Sequence, residues 1–302
     1  MLSDLGRPAD ALTRAEEAVG VLRGPAGQSA GTSRAQLAST LCNLGVCLAG
    51  LGRHADALAL TEEAATIYRD LAGTSPDRYL PELATCLANR GIRLASLGCH
   101  REARAATQEA VTLYRQLAAD KPERYRPELA STLSDLGMRF TAAGTPAAAL
   151  PVNKEAARIF RELARTSPAR YQPGLATSLT QLGTVLGQLG RATAAQAADR
   201  EAVDMYQELT GTDPGRYQPE YAAALANLAT DLGATAHPAQ ALPHAEQAVA
   251  IYREAARPNP GRFNLHLAVT LEISEPVLWD APPVEPPLSS AGPAWGSCCG
   301  HR

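Results

Sequence analysis

One pattern of 46 residues recurs along this chain with no insertion or deletion, and that regularity constrains the fold more than any single motif. Successive units open LASTLCNLG at Leu37, LATCLANRG at Leu83, LASTLSDLG at Leu129, LATSLTQLG at Leu175 and YAAALANLA at Tyr221, each 46 residues after the last. Self-similarity at such a period marks an array in which each unit is one supersecondary element stacked on its neighbours. A half unit precedes them, since LGRPADAL from Leu5 lines up with LGRHADAL from Leu51, and a further unit starts at Leu267 and then fails. The chain is expected to divide into a partial repeat over 1–36, a solenoid over 37–272 and a Pro/Gly/Ser-rich disordered tail over 273–302.

Within the second full unit, Leu83, Leu87 and Leu94 form one apolar row and Ala84, Ala88, Ile92 and Ala95 a second, at spacings of three and four that belong to a helix. After the break at Gly98-Cys99-His100, a second helical pattern runs through Ala103, Ala106, Ala110, Tyr114 and Leu117. Each unit is therefore a helical hairpin. A hairpin cannot bury two apolar rows by itself, so stability has to come from stacking.

The linkers repeat as well: SPDRYLPE, KPERYRPE, SPARYQPG, DPGRYQPE and NPGRFNLH. The first proline of each (Pro76, Pro122, Pro168, Pro214, Pro260) is expected to stop the preceding helix. The second (Pro81, Pro127, Pro173, Pro219) is expected in the first turn of the next, where a missing N–H costs nothing. Helices of about seventeen residues, roughly 25 Å long, follow from that reading.

The Leu-Gly pair followed by two alanines, as in Leu44-Gly45, Ala57 and Ala64, resembles the tetratricopeptide signature. It recurs at Ala103 and Ala110, Ala149 and Ala156, Ala195 and Ala202, Ala241 and Ala248, and ahead of the array at Ala11 and Ala18. Gly45, Gly91, Gly137 and Gly183 would let the second helix approach the first. The unit exceeds the usual length of about 34 residues and is similar to the lengthened repeats of kinesin light chain and actinobacterial signalling proteins. The resemblance implies an all-α, right-handed superhelical solenoid of antiparallel hairpins. In those bacterial relatives a nucleotide-switch or protease domain often accompanies the array, so the resemblance also implies a recognition arm of a longer architecture.

The first helix of each unit carries a polar stripe, in the second unit Thr85, Asn89, Arg93 and Ser96, which by resemblance lines the concave surface. The residue before the Leu-Gly pair forms a ladder of Asn43, Asn89, Asp135, Gln181 and Asn227. Every rung accepts a hydrogen bond and the amides also donate, so the ladder suits the backbone of an extended peptide. One such bond contributes about 1 kcal/mol net, and several rungs would have to act together. The competing role for these amides is to brace the adjacent helix. Arg93 and Arg139 lie one turn beyond Asn89 and Asp135 and could pair with an acidic group of a ligand, although Asp135 is a ready i,i+4 partner for Arg139. The matching places elsewhere hold Cys47, Val185 and Asp231, so the groove is not uniformly basic.

Three other ladders have structural readings. Tyr79, Tyr125, Tyr171, Tyr217 and Phe263, each preceded by an arginine, are expected to plug the seams between units, and Tyr68, Tyr114, Phe160, Tyr206 and Tyr252 to pack in the core. Glu17, Glu63, Glu109, Glu155 and Glu201 supply one carboxylate per hairpin, too few in any one place for a metal, and are expected to brace or solvate the outer surface.

The chain has no constellation for catalysis. Gly27-Gln28-Ser29-Ala30-Gly31 matches G-x-S-x-G but lies in a linker with no strand before it. P-loop, H-E-x-x-H and Rossmann fingerprints are missing. Cys298, Cys299 and His301 would be weak ligands on a tail. The six cysteines have irregular spacings that suit reduced small hydrophobes rather than a disulfide framework. A net charge of −3 supplies no basic field for nucleic acid or anionic membrane. With no apolar stretch long enough to span a bilayer and no leader-like start, the default address is the cytoplasm.

The expectation is a non-catalytic scaffold that holds a peptide or protein segment in its groove, with no cofactor and no metal. The alternative is a regulatory arm that restrains or recruits a separate effector. A secreted-peptide receptor that regulates transcription ranks below both, because no hairpin is left over for DNA. Neither end carries a polar cap, so weak self-association is a further expectation.

Overall fold

The computed structural model describes residues 8–24, 31–235, 237–257 and 260–280. Among them are twelve helices: α1 (Pro8–Arg23), α2 (Gly31–Gly50), α3 (His54–Thr74), α4 (Pro76–Ser96), α5 (His100–Asp120), α6 (Pro122–Ala142), α7 (Pro146–Thr166), α8 (Pro168–Gln188), α9 (Ala192–Thr212), α10 (Pro214–Ala234), α11 (Pro238–Ala256) and α12 (Pro260–Asp280). Each packs against the next along the chain, so α2–α3, α4–α5, α6–α7, α8–α9 and α10–α11 are the five hairpins of an all-α solenoid. The even-numbered helices also touch one another across units, α4 with α6, α6 with α8, α8 with α10 and α10 with α12. The odd-numbered helices do not pack together to that extent among the described residues. An array whose one layer is in contact while the other spreads curves toward the contacting layer, and α2 to α12 therefore form the inner wall.

Two different devices punctuate the array. Inside a hairpin the chain turns over three residues, Leu97-Gly98-Cys99 in the second unit, with Gly98 at φ 77°. The Cys99 N–H reaches back to the Leu94 carbonyl at 2.8 Å, and Arg53, Thr145 and Arg191 repeat that bond at 2.9 Å. This is a left-handed helix cap in which glycine avoids the penalty a Cβ would bring. Between hairpins a single residue suffices. Ser75, at φ −143° and ψ 72°, ends α3 and opens α4. The proline after it excludes the α region for its predecessor and then occupies the first helical position itself.

The linker expectation is corrected at this point. The first proline both stops one helix and starts the next, while Pro81, Pro127, Pro173 and Pro219 lie inside helices rather than in their first turns. Helices α3 to α10 are 21 residues long, not seventeen. The missing N–H of Pro81 forfeits only a bond to the carbonyl of Asp77, an exposed residue of the second helical position whose carbonyl water can satisfy.

Packing follows the repeat register. Leu41, Leu87, Leu133, Leu179 and Leu225 are almost fully buried, each worth about 1.5–3 kcal/mol over exposure. The paired alanines from Ala57 and Ala64 to Ala241 and Ala248 are all at 0% exposure. Opposite them, a Cβ on Gly91 would come 3.2 Å from the Ala103 carbonyl and 2.3 Å from Thr107 Oγ1, which is the close helix approach that glycine permits. Tyr68, Tyr114, Phe160, Tyr206 and Tyr252 are core residues, and the Tyr114 and Tyr206 hydroxyls meet Thr85 and Thr177 at 2.9 and 3.0 Å. In the linker series Tyr79, Tyr125 and Phe263 are buried and Tyr171 and Tyr217 half-buried. Arg78, Arg124, Arg170 and Arg216 each lie over the ring that follows them, at 5.1–5.2 Å.

At the ends, α2 begins six residues before the expected boundary at 37, and α12 runs to Asp280, eight residues past the expected end of the solenoid at 272. Residues 1–7, Gly27 to Ala30, residues 281–302 with Cys298, Cys299 and His301, and the side chain of Ala11 lie outside the described residues.

Candidate functional site

All seven residues of the expected binding face lie on the inner helices: Asn43 on α2, Asn89 and Arg93 on α4, Asp135 and Arg139 on α6, Gln181 on α8 and Asn227 on α10. Asn43 is exposed and the other six are partly buried. The rungs are not equivalent. Asn227 donates from Nδ2 to Thr184 Oγ1 at 2.9 Å, bracing α10 against α8. Thr85 of the polar stripe is likewise occupied, bonding the Pro81 carbonyl and the Tyr114 hydroxyl.

Other inner-face groups have no partner within the protein. Arg93 Nε, Arg139 Nε and Gln181 Oε1 are buried without a hydrogen bond. Burial lowers the pKa of the Arg93 guanidinium. Arg139 does not form the ion pair with Asp135 that the i,i+4 spacing offers. Its charge pulls the Asp135 titration down, but burial pushes harder and raises the carboxyl to about 6. Asp135 opens onto a cleft of about 480 Å³ between the α6 and α8 helices, whose rim carries Arg170 and Arg216.

A second cleft, of about 450 Å³, lies between α8, α9 and α10. Gly183 and Gly187, one turn apart on α8, form a side-chain-free wall facing Asp199 of α9 and Asp231 of α10. A Cβ on Gly183 would stand 2.0 Å from Asp199 Oδ1, and one on Gly187 would stand 3.0 Å from Asp231 Oδ1. Both carboxyls titrate above the ordinary carboxylate range, because burial disfavours the charged form; for Asp199 the neighbouring Asp231 adds to that.

Asp231 stands out in the sequence only as a departure from the arginine places, and no motif marks Asp199. The signal for Asp199 is positional. The series Thr61, Thr107, Asn153, Asp199 falls at period 46 between two fully buried alanine positions, where a polar side chain is costly unless it has work to do. Also missed were the arginine partners of the glutamate ladder. Arg23, Arg69, Arg115 and Arg161 reach Glu63, Glu109, Glu155 and Glu201 of the next unit at 2.5–2.9 Å.

Among the described residues no group of three or more His, Cys, Asp or Glu is arranged to hold a metal ion, and no helix is long and apolar enough to cross a membrane. The family model "Tetratricopeptide repeat" matches residues 37–77, 175–214 and 222–259. None of the curated protein sequences is a match. Among solved structures, BtubC (BKLC) from P. vanneervenii aligns with a TM-score of 0.63 at 16% identity, covering 83% of this chain and 92% of that one. A kinesin light chain array of nearly identical repeats from Podospora anserina aligns at 0.55 and 18% identity, covering 74% of this chain and 98% of that one. The apo form of the quorum sensor NprR from B. thuringiensis aligns at 0.56 and 14% identity, covering 87% and 65%. Repeat register, hairpin packing and these likenesses agree: residues 37–77, 175–214 and 222–259 match tetratricopeptide repeats, and the array shares the fold of the kinesin-light-chain-like solenoids.

Proposed function

We propose that the array is a non-catalytic scaffold that holds a peptide or protein segment along the inner wall formed by α2 to α12. The observation that carries this reading is the set of buried, unpartnered polar atoms on that wall: Arg93 Nε, Arg139 Nε and Gln181 Oε1. Each such group left unmet costs about 1–3 kcal/mol, which a bound segment that reaches it would offset. An extended segment offers carbonyls to the guanidinium donors and N–H groups to the amide and carboxylate acceptors. Asn43 and Asn89 would extend the same ladder, with Asn227 shared between bracing and binding.

The test uses the immobilised protein and a displayed library of extended peptides. Wild type is expected to enrich a defined set, and Asn89→Ala combined with Arg93→Ala to reduce retention of that set at least about tenfold. Unchanged retention would remove the inner wall from the account. A second reading, a regulatory arm that restrains or recruits a separate effector, draws support from the likeness in fold to the quorum sensor NprR. It requires an effector whose activity changes when the array is added.

A further inference from the structure

We infer that the cleft between α8, α9 and α10 is a selectivity pocket that takes a cationic side chain, lysine or arginine, from the bound segment, with Asp199 and Asp231 as its acidic floor. This inference rests on the groove reading above and adds to it the chemistry of one partner residue. The cleft is built for a ligand in three respects. Asp199 is at 0% exposure, yet it lines the cleft, and apart from the carboxyl of Asp231 beside it neither of its carboxylate oxygens has a hydrogen-bond partner. No arginine or lysine of the chain forms an ion pair with Asp199 or Asp231 among the described residues. A volume of about 450 Å³ has room for a long side chain, and Asn227, Thr184 and Thr230 give its mouth a polar lining.

The repeats themselves argue that packing does not require the carboxylates. The place of Asp199 is held by Thr61, Thr107 and Asn153 in the preceding units, and that of Asp231 by Val185 in the unit before it. Thr61 and Thr107 satisfy their hydroxyls locally, on the Ala57 and Ala103 carbonyls at 2.7 and 2.8 Å. Asp199 accepts no such bond. Two carboxyls have been brought together behind a glycine wall, and the proton that burial and proximity hold on Asp199 keeps them from facing each other as two charges. A desolvated ammonium or guanidinium between them displaces that proton and pairs with both.

The discriminating experiment measures fluorescence anisotropy with labelled octapeptides of serine and alanine whose central residue is lysine, arginine, norleucine or citrulline. Wild type is expected to bind the lysine and arginine peptides about tenfold more tightly than their uncharged counterparts. Asp199→Asn and Asp231→Val each give this unit a residue that a neighbouring unit already carries, so the fold is retained. Together they are expected to abolish the preference, the lysine and arginine peptides then binding no more tightly than their uncharged counterparts. Equal binding of all four peptides, or a charge preference that survives the double variant, overturns the pocket and leaves the groove standing. Binding of none of them at any concentration overturns the groove and the pocket together. A calcium titration saturating on wild type and lost in Asp199→Asn, without discrimination among the peptides, would make the cleft a metal site and likewise overturn the inference.

Discussion

At two register positions the second and third hairpins differ in charge from the fourth and fifth, and the differences take the inner wall from basic to acidic along the array. Two residues beyond the conserved-in-register glycine or its alanine counterpart, α4 and α6 carry Arg93 and Arg139, whereas α10 carries Asp231. On the helix behind, the earlier units place Thr107 and Asn153 where α9 places Asp199. Around these positions the leucines, alanines and tyrosines stay in register and stay buried. The array thus separates two tasks by position: one set of residues fixes how hairpins stack, and the other is free to set what each stretch of the groove attracts.

The separation breaks first if a stacking position tolerates change. In Gly137→Ala the new Cβ would lie 1.6 Å from Asn153 Oδ1, a side chain with only 1% exposure and little room to retreat. Overpacking of this kind costs about 1–3 kcal/mol. The same change at Gly45 meets Thr61 Oγ1 at 3.2 Å and the Ala57 carbonyl at 3.3 Å and should cost less. Urea denaturation of both variants is the check. Rescue of Gly137→Ala by a second change, Asn153→Ala, would locate the strain in that contact, and equal stability of all variants would dissolve the distinction between stacking and presenting positions.

Asp199 allows the converse experiment, a change that should improve stability while removing the presented carboxyl. Burial and the adjacent Asp231 raise its carboxyl to about 9, whereas an unfolded chain releases that proton at about pH 4. Between those limits the folded protein binds more protons than the unfolded one, so stability falls as pH rises through the window. Asp199→Asn is expected to flatten that slope and to stabilise the array at pH 8 by more than about 1 kcal/mol. Denaturation midpoints of the two proteins at pH 4.5 and pH 8 measure it; a slope that is the same in both removes Asp199 as the source. Asp135, raised only to about 6 with Arg139 opposing the rise, should contribute a smaller loss of stability confined to the range from about pH 4 to 6. Asp135→Asn reports that loss in the same assay.

What could be read from the sequence followed the same division. Stacking positions announce themselves because every unit needs the same small or apolar residue there: the Ala57 to Ala248 series, the glycines facing it and the core tyrosines were all evident from period alone. Helix starts lie earlier than the second prolines suggest because the first proline is both an end and a beginning: it forces only its one predecessor, Ser75 or an equivalent, out of the helix and then opens the next itself. Presenting positions were half legible. The ladder from Asn43 to Asn227 stands out as a row, but Asn227 spends its amide on Thr184, and that depends on the distance between α8 and α10 rather than on composition. Asp199 was hidden for a different reason: its significance lies in differing from Thr61, Thr107 and Asn153, and only the glycine wall of α8 shows that the difference opens onto a cleft.

The smallest expected effect concerns the outer layer, which the charge inversion of the inner wall leaves untouched. Arg69–Glu109 and Arg161–Glu201 join successive units in the same way, α3 to α5 and α7 to α9, at 2.9 and 2.7 Å. Arg161 Nη2 contacts both oxygens of Glu201, and its Nε adds a third bond at 3.3 Å, whereas Arg69 makes a single contact. The pairs remain between 39% and 54% exposed, which holds each coupling to about 0.2–1 kcal/mol. Double-mutant cycles with alanine should place Arg161–Glu201 above Arg69–Glu109, and 1 M salt, where the screening length is about 3 Å, should reduce both. Couplings that are equal and insensitive to salt would mean that these arginines act through their methylene stems, covering the seams between α3, α5, α7 and α9, and that stacking in the outer layer owes nothing to charge.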